Sequence, residues 1–234
     1  MKFAILINTY MRSDGNTPKL LIRALDSVFA QTHKDFKIFV MGDHYENEQE
    51  LFEICRGYDS EKIYCENLEV SERDLYAGNA WAIWSYGGCN AKNTSIDRAI
   101  SQGFSYMCNL DHDDYWETNH LEEINKAIEK TGALFVCTKS TYCGSTHLPR
   151  VDGNSEYIEH LPQSGNLVHS STCINFNAIP LRYVDLYKET GSVGLPGDAQ
   201  MWEILNKYMN ENGMKGVLVN KVTCIKESEG FERK

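Results

Sequence analysis

Apolar positions along the chain follow two alternating rhythms. FAILI (3–7) is a short unbroken apolar run, the pattern of a strand covered on both faces. Thr17-Pro18 then offers an N-cap with proline at the first helical position. Leu21, Leu25, Val28 and Phe29 follow at helical spacing, with Leu20 and Ala24 widening the stripe. FKIFVM (36–41) predicts a second buried strand, and residues 47–57 a helix carrying Leu51, Ile54 and Cys55 that stops at Gly57. KIYC (62–65) is a weaker strand signal. Segment 91–102 places Ile96, Ala99 and Ile100 on one helical face, FSYMCNL (104–110) predicts a strand, and 119–131 is the clearest helix, capped by Thr118. ALFVCTK (133–139) predicts another strand.

This alternation implies an α/β fold with a mostly parallel central sheet flanked by helices. After residue 139 the pattern loosens into a stretch rich in Ser, Gly, Asn, Pro and His, with short strand signals at 157–160 and 172–176. A helix at 199–212 and a strand at 217–223 follow. With no repeat or linker, one domain over 1–234 is the simplest organisation, divided near residue 139.

Composition narrows the function classes. A formal net charge of −10 leaves no excess of Lys and Arg to neutralise phosphates, which argues against nonspecific nucleic-acid binding. No apolar run is long enough to span a bilayer, and MKFAILINTYMRSD reads as a first strand, not a secretion signal. Eight cysteines include no C-x-x-C pair, and Cys108 and Cys137 sit inside apolar runs, so a reduced, cytoplasmic setting is expected, with peripheral membrane association left open.

The chemistry concentrates in CNLDHDDYW. Asp111, Asp113 and Asp114 fall within four positions directly behind a strand, where open parallel sheets bind ligands. Crowded carboxylates repel unless a hard divalent cation sits among them. Mg²⁺ or Mn²⁺ typically uses one or two protein carboxylates and completes its shell with substrate phosphates and water. An exposed acidic turn capping the next helix is the alternative.

The surrounding blocks carry a resemblance. ILINTYMRSD, then SVFAQTHKDF closing a helix, then KIFVMGDHYEN, then AKNTSIDRAISQGFSYMCNLDHDDYW, and finally LPGDAQMWEIL stand in order. They resemble the P-T-Y-N-R, S-V-x-x-Q-T, V-V-D-D-G-S, A-R-N-x-G, L-D-x-D-D-x-W and Glu-Asp blocks of the family 2 glycosyltransferases, inverting enzymes of the Rossmann-like GT-A fold that use nucleotide-diphosphate sugars. The match runs over 3–130 and returns at 195–205.

The resemblance implies a role for each matching residue. Thr9 and Tyr10 would lie around the nucleotide base, and Asp43 would hydrogen-bond base or ribose. Lys92 and Asn93 would sit near diphosphate or ribose, Asp111 at the ribose or a metal-bound water. Asp113 would ligate Mn²⁺ or Mg²⁺, Asp114 would lie near the transferred sugar or the metal, and Asp198 would be the catalytic base. Residues 1–139 would then bind the sugar nucleotide, UDP-sugar favoured, and 140–234 a glycan, lipid-linked or protein acceptor. A GT-A-shaped module that binds but does not turn over is the rival.

Several positions depart from the pattern: Asn8 for Pro, Met11 for Asn, Gly42 for the first Asp of D-D-G-S, Lys92 for Arg, Ser95 for Gly and Gly197 for Glu. Where many members place a C-terminal His, TCIKESEG (223–230) offers Lys226. Two stretches keep two readings each. His169 is an acceptor contact or a structural histidine. The aromatics of RDLYAGNAWAIWSYGG (73–88) either stack on sugar or pack in the core.

Overall fold

The computed structural model describes residues 1–144 and 146–227, so Lys226 is described and the end of the 223–230 stretch lies outside. Strands are β1 (Phe3–Thr9), β2 (Phe36–Gly42), β3 (Ile63–Asn67), β4 (Tyr106–Asp111), β5 (Tyr115–Trp116), β6 (Phe135–Tyr142), β7 (Thr146–Leu148), β8 (Tyr157–Glu159), β9 (Thr172–Asn175) and β10 (Gly216–Lys226). Helices are α1 (Thr17–Phe29), α2 (Glu48–Arg56), α3 (Glu72–Leu75), α4 (Ala80–Tyr86), α5 (Cys89–Ser101), α6 (His120–Thr131), α7 (Leu186–Thr190) and α8 (Gly197–Glu211).

The strands form one curled sheet of order β3-β2-β1-β4-β9-β6-β10-β5, with β7 on β6 and β8 on β10. β1, β2, β3 and β4 pair parallel, as do β6 and β10, which is the parallel part the alternation predicts. β9 runs antiparallel between β4 and β6, and the short β5, β7 and β8 also pair antiparallel, so the sheet as a whole is mixed. Successive side chains of a strand point to opposite faces. Accordingly Phe3, Ile5 and Ile7 pack with Leu21 and Leu25 of α1 and Ile124 of α6, while Ala4 and Leu6 share the other core with Ile96 of α5 and Trp202 and Leu205 of α8.

Register sets the site. Thr9 pairs with Gly42 and Asn8 with Asp111, so the carboxyl ends of β1, β2 and β4 finish together at one edge. Two expected caps work differently. Thr17 is inside α1, where its hydroxyl accepts from the Arg12 N–H at 2.9 Å and donates to the Tyr10 carbonyl at 3.0 Å, tying down the loop after β1. Asn119, not Thr118, occupies the cap of α6. The buried Gln31 donates to the Glu117 carbonyl at 2.8 Å and accepts from the Leu121 N–H at 2.9 Å, anchoring the chain beyond the acid cluster.

Candidate active site

A cleft of about 660 Å³ opens over these strand ends, the place where open α/β sheets bind ligands. Thr9, Tyr10, Asp43, Lys92, Asp111, Asp113, His169, Asp198 and Lys226 all line it, although they come from positions spread over most of the chain.

At one part of the cleft, Asp43 follows β2 with its N–H bonded to the Thr9 carbonyl at 2.8 Å. Its buried carboxylate accepts from Arg73 Nε at 3.0 Å, and the Arg73 guanidinium lies 3.6 Å over the Tyr10 ring. Burial pushes the Asp43 carboxyl up, with Arg73 opposing. The Thr9 hydroxyl is bonded to that of Tyr45 at 2.7 Å. Arg73 carried no sequence signal: it sits on α3, a single turn whose N–H at Arg73 bonds the Ser71 hydroxyl at 3.0 Å.

The acid cluster divides. Asp111 and Asp113 reach the cleft, whereas Asp114 turns inward and is fully buried. Its N–H bonds the Asp111 carbonyl at 3.0 Å, and its carboxylate accepts from Ser170 Oγ at 2.5 Å, with Lys226 Nζ 3.8 Å away. Burial pushes the Asp114 carboxyl up to about 8; Lys226 opposes this, and Asp111 and Asp113 add to it. For Asp111 burial acts in the same raising sense, but His169, Lys92 and Lys226 outweigh it and hold the carboxyl well below the usual range. Asp113 Oδ2 lies 3.4 Å from Arg12 Nη1, and its carbonyl accepts from Arg23 Nη2 at 2.5 Å. Among the described residues no three His, Cys, Asp or Glu side chains gather as a metal cage. The two cleft carboxylates still fit a hard cation that takes its remaining ligands from a bound diphosphate, and behind them Asp114 Oδ1 is buried with no hydrogen-bond partner among the described residues.

His169 is pinned twice. Nδ1 lies 2.9 Å from Asp111 Oδ1 and Nε2 lies 2.8 Å from the Tyr183 hydroxyl. Lys92, on α5, extends into the cleft with Nζ 5.1 Å from the Tyr183 ring centre. Its neighbour Asn93 does not line the cleft: its amide exchanges two 2.9 Å bonds with the Tyr183 backbone and clamps that segment to α5. Asp198 stands in the first turn of α8, one residue inside the helix whose cap is Pro196, with Oδ1 2.8 Å from the Ala199 N–H.

Two of the departures from the family pattern, Gly42 and Gly197, have packing reasons. A Cβ at Gly42 would lie 2.6 Å from both Asn67 Oδ1 and Leu51 Cδ2. One at Gly197 would lie 2.8 Å from Cys89 Sγ and 3.0 Å from the Ser85 carbonyl, at the end of α4. The aromatics of 73–88 also split: Tyr76 and Tyr86 are core, while Trp81 and Trp84 are exposed and Trp84 lines the cleft. Arg150, on the loop after β7, is a further lining cation with no sequence signal.

An α/β sheet carries a polar cleft at its strand ends, lined by the carboxylates Asp43, Asp111, Asp113 and Asp198 and by the cations Arg73, Lys92, Arg150 and Lys226. No family model matches the chain. It is 34% identical over 238 residues to an uncharacterized glycosyltransferase of Acanthamoeba polyphaga mimivirus, covering 98% of this chain and 95% of that protein. It is 29% identical over 132 residues to the amylovoran biosynthesis glycosyltransferase AmsB of Erwinia amylovora, covering 56% of this chain and 36% of that one. The chain belongs to the glycosyltransferases. Its fold matches S. aureus TarS in complex with UDP-GlcNAc at a TM-score of 0.70 and 16% identity, over 99% of this chain and 60% of that one. It also matches the mannosyltransferase PcManGT of Pyrobaculum calidifontis, in complex with GDP-Man and Mn²⁺, at 0.60 and 9%, over 99% and 58%. Among the described residues no helix is long and apolar enough to cross a membrane.

Proposed function

We propose that this chain is an inverting, metal-dependent glycosyltransferase of family 2. It moves a sugar from a nucleotide diphosphate, UDP favoured, to an acceptor hydroxyl in one displacement. The observation that carries the reading is the gathering of Asp43, Lys92, Asp111, Asp113, Asp198 and Lys226 around one cleft at the strand ends. The named ligands of the structural relatives, UDP-GlcNAc and GDP-Man, support the donor class.

In this reading Tyr10 and Asp43, braced by Arg73, hold the nucleoside. Asp111, oriented by His169, would meet the ribose or a water held by the metal. Asp113 would hold Mn²⁺ or Mg²⁺, with Asp111 the second carboxylate in reach. When bound, the cation neutralises charge on the departing diphosphate. Lys226 stands where many family members have histidine, and with Lys92 it offers a fixed positive charge to the same oxygens. Asp198 accepts the proton of the acceptor hydroxyl as that oxygen attacks the face of the anomeric carbon opposite the leaving group. That hydroxyl becomes strongly acidic only as its bond to the sugar forms, so a carboxylate suffices as base. Residues 1–139 serve the donor and 140–234 most of the acceptor side, in a cytoplasmic enzyme whose acceptor is a glycan, a lipid-linked glycan or a protein.

The test is nucleoside diphosphate release from UDP-GlcNAc, UDP-glucose, UDP-galactose and GDP-mannose, with and without Mn²⁺. Metal-dependent release, lost in Asp113→Ala, is the expected result. Metal-dependent nucleotide binding with no turnover of any donor would establish the binding-module reading instead.

A further inference from the structure

We infer that Trp81 and Trp84 of α4 form a saccharide subsite, so that the hydroxyl presented to Asp198 belongs to a sugar ring stacked on this indole pair. The inference deepens the glycosyltransferase reading of the cleft and rests on it.

The two faces of α4 differ sharply. Ala82, Ser85 and Tyr86 are buried, while Trp81 and Trp84, three residues apart and so on one face, are 60% and 39% exposed. Their rings pack edge to face with centroids 5.2 Å apart. Indoles are among the side chains with most to gain from burial, and an exposed pair of which one ring lines a polar cleft marks a binding surface. α4 is also rigidly mounted. Asn79 Oδ1 caps it through the Ala82 N–H at 3.0 Å, and the Tyr86 hydroxyl accepts from the Gly194 N–H at 2.8 Å.

Position links the pair to the chemistry. Trp84 lines the cleft together with Pro196 and Asp198. The carbonyl of Ser85, the next residue, abuts Gly197 so closely that a Cβ there would lie 3.0 Å away. The glycine that departs from the family pattern thus lets α4 dock against the start of α8, beside the proposed base. The cleft's cations serve a diphosphate, whereas an uncharged indole suits a ligand that is apolar on one face and hydroxylated at its rim. A pyranose has that character: its C–H face meets the electron-rich face of the ring.

The test uses the intact chain with UDP and Mn²⁺, titrated with chitobiose, maltose and methyl β-galactoside. Of the four tryptophans, Trp116 and Trp202 are buried, but Trp202 also lines the cleft, so a saccharide-dependent change in tryptophan emission is assigned to Trp81 and Trp84 by its dependence on those two rings. A saturable change with at least one saccharide is expected. W81A/W84A should abolish it while leaving UDP affinity within twofold. In transfer assays W84A should raise the KM for the saccharide at least tenfold, and W84F should stay within threefold of wild type. Donor turnover without any saccharide effect would overturn the subsite and leave the enzyme reading standing. Failure to bind any nucleotide would remove the enzyme reading itself. Equal loss of UDP and saccharide affinity in W84A would assign the ring to the donor. Trp-dependent binding to phosphatidylglycerol vesicles without a saccharide response would make the patch a membrane contact.

Discussion

His169 donates from Nδ1 to Oδ1 of Asp111 at 2.9 Å, across 58 residues of sequence. The histidine is buried and its other nitrogen is held by Tyr183, whereas Asp111 is about one-third exposed to the cleft. A fixed ring therefore aims a solvent-reaching carboxylate.

His169→Ala should weaken nucleotide affinity about tenfold, since a hydrogen bond to a charged group contributes roughly 1.5–3 kcal/mol. Tyr183→Phe should cost less, because the bond to Asp111 survives. Calorimetric titration with UDP reads both; unchanged affinity in His169→Ala would detach Asp111 from the nucleotide.

Asp198→Asn should keep nucleotide affinity within about twofold while transfer falls about 100-fold or more, the usual scale for losing a general base. Parallel loss of both would remove Asp198 from the base role.

Gly42→Asp restores the family's residue but should lower stability by about 1–3 kcal/mol, the range for overpacking. Asn67 cannot easily yield, because its side chain accepts from the Tyr45 N–H at 2.8 Å and donates to the Tyr45 carbonyl at 3.0 Å. Thermal unfolding of the variant checks this. A Tm at or above wild type would mean that the strand end accommodates a side chain.

His120 is fully buried, stacked on Trp116 with ring centres 4.2 Å apart and Nδ1 2.8 Å from Thr223 Oγ1. Burial pushes its pKa down to about 3 from an ordinary 6.5. Between those values the unfolded chain binds a proton that the folded chain refuses. Stability contributed by neutral His120 is therefore full above 6.5 and lost as pH falls, by at most about 1.4 kcal/mol per pH unit. His120→Phe keeps an aromatic ring and removes the titration. Denaturant unfolding at about pH 6 and about pH 4 should show a smaller loss in the variant; equal losses would contradict the assignment.

Local pattern alone determined the alternation of strands and helices, the parallel pairing of β1 to β4 and the location of the acids at a strand end. Unbroken apolar runs and helical stripes report burial directly, and a run that ends in aspartates reports where it meets solvent. The ordered blocks from NTYMRSD to LPGDAQMW carried the family assignment for the same reason. Only tertiary structure decided which acids face the cleft. Asp111, Asp113 and Asp114 look alike in sequence, but the turn closed by the Asp111 carbonyl sends Asp114 to Ser170 and Lys226, residues 56 and 112 positions away. Arg73 and Trp84 lie on helices of one or two turns, too short to announce themselves by periodicity and held by distant partners such as Asp185 and Gly194. The strand signal at 172–176 is β9, but its antiparallel direction, which sets His169 in the turn before it against Asp111, follows from pairing with β4 and β6. Periodicity records which side of an element is buried; what it is buried against is a property of the folded chain.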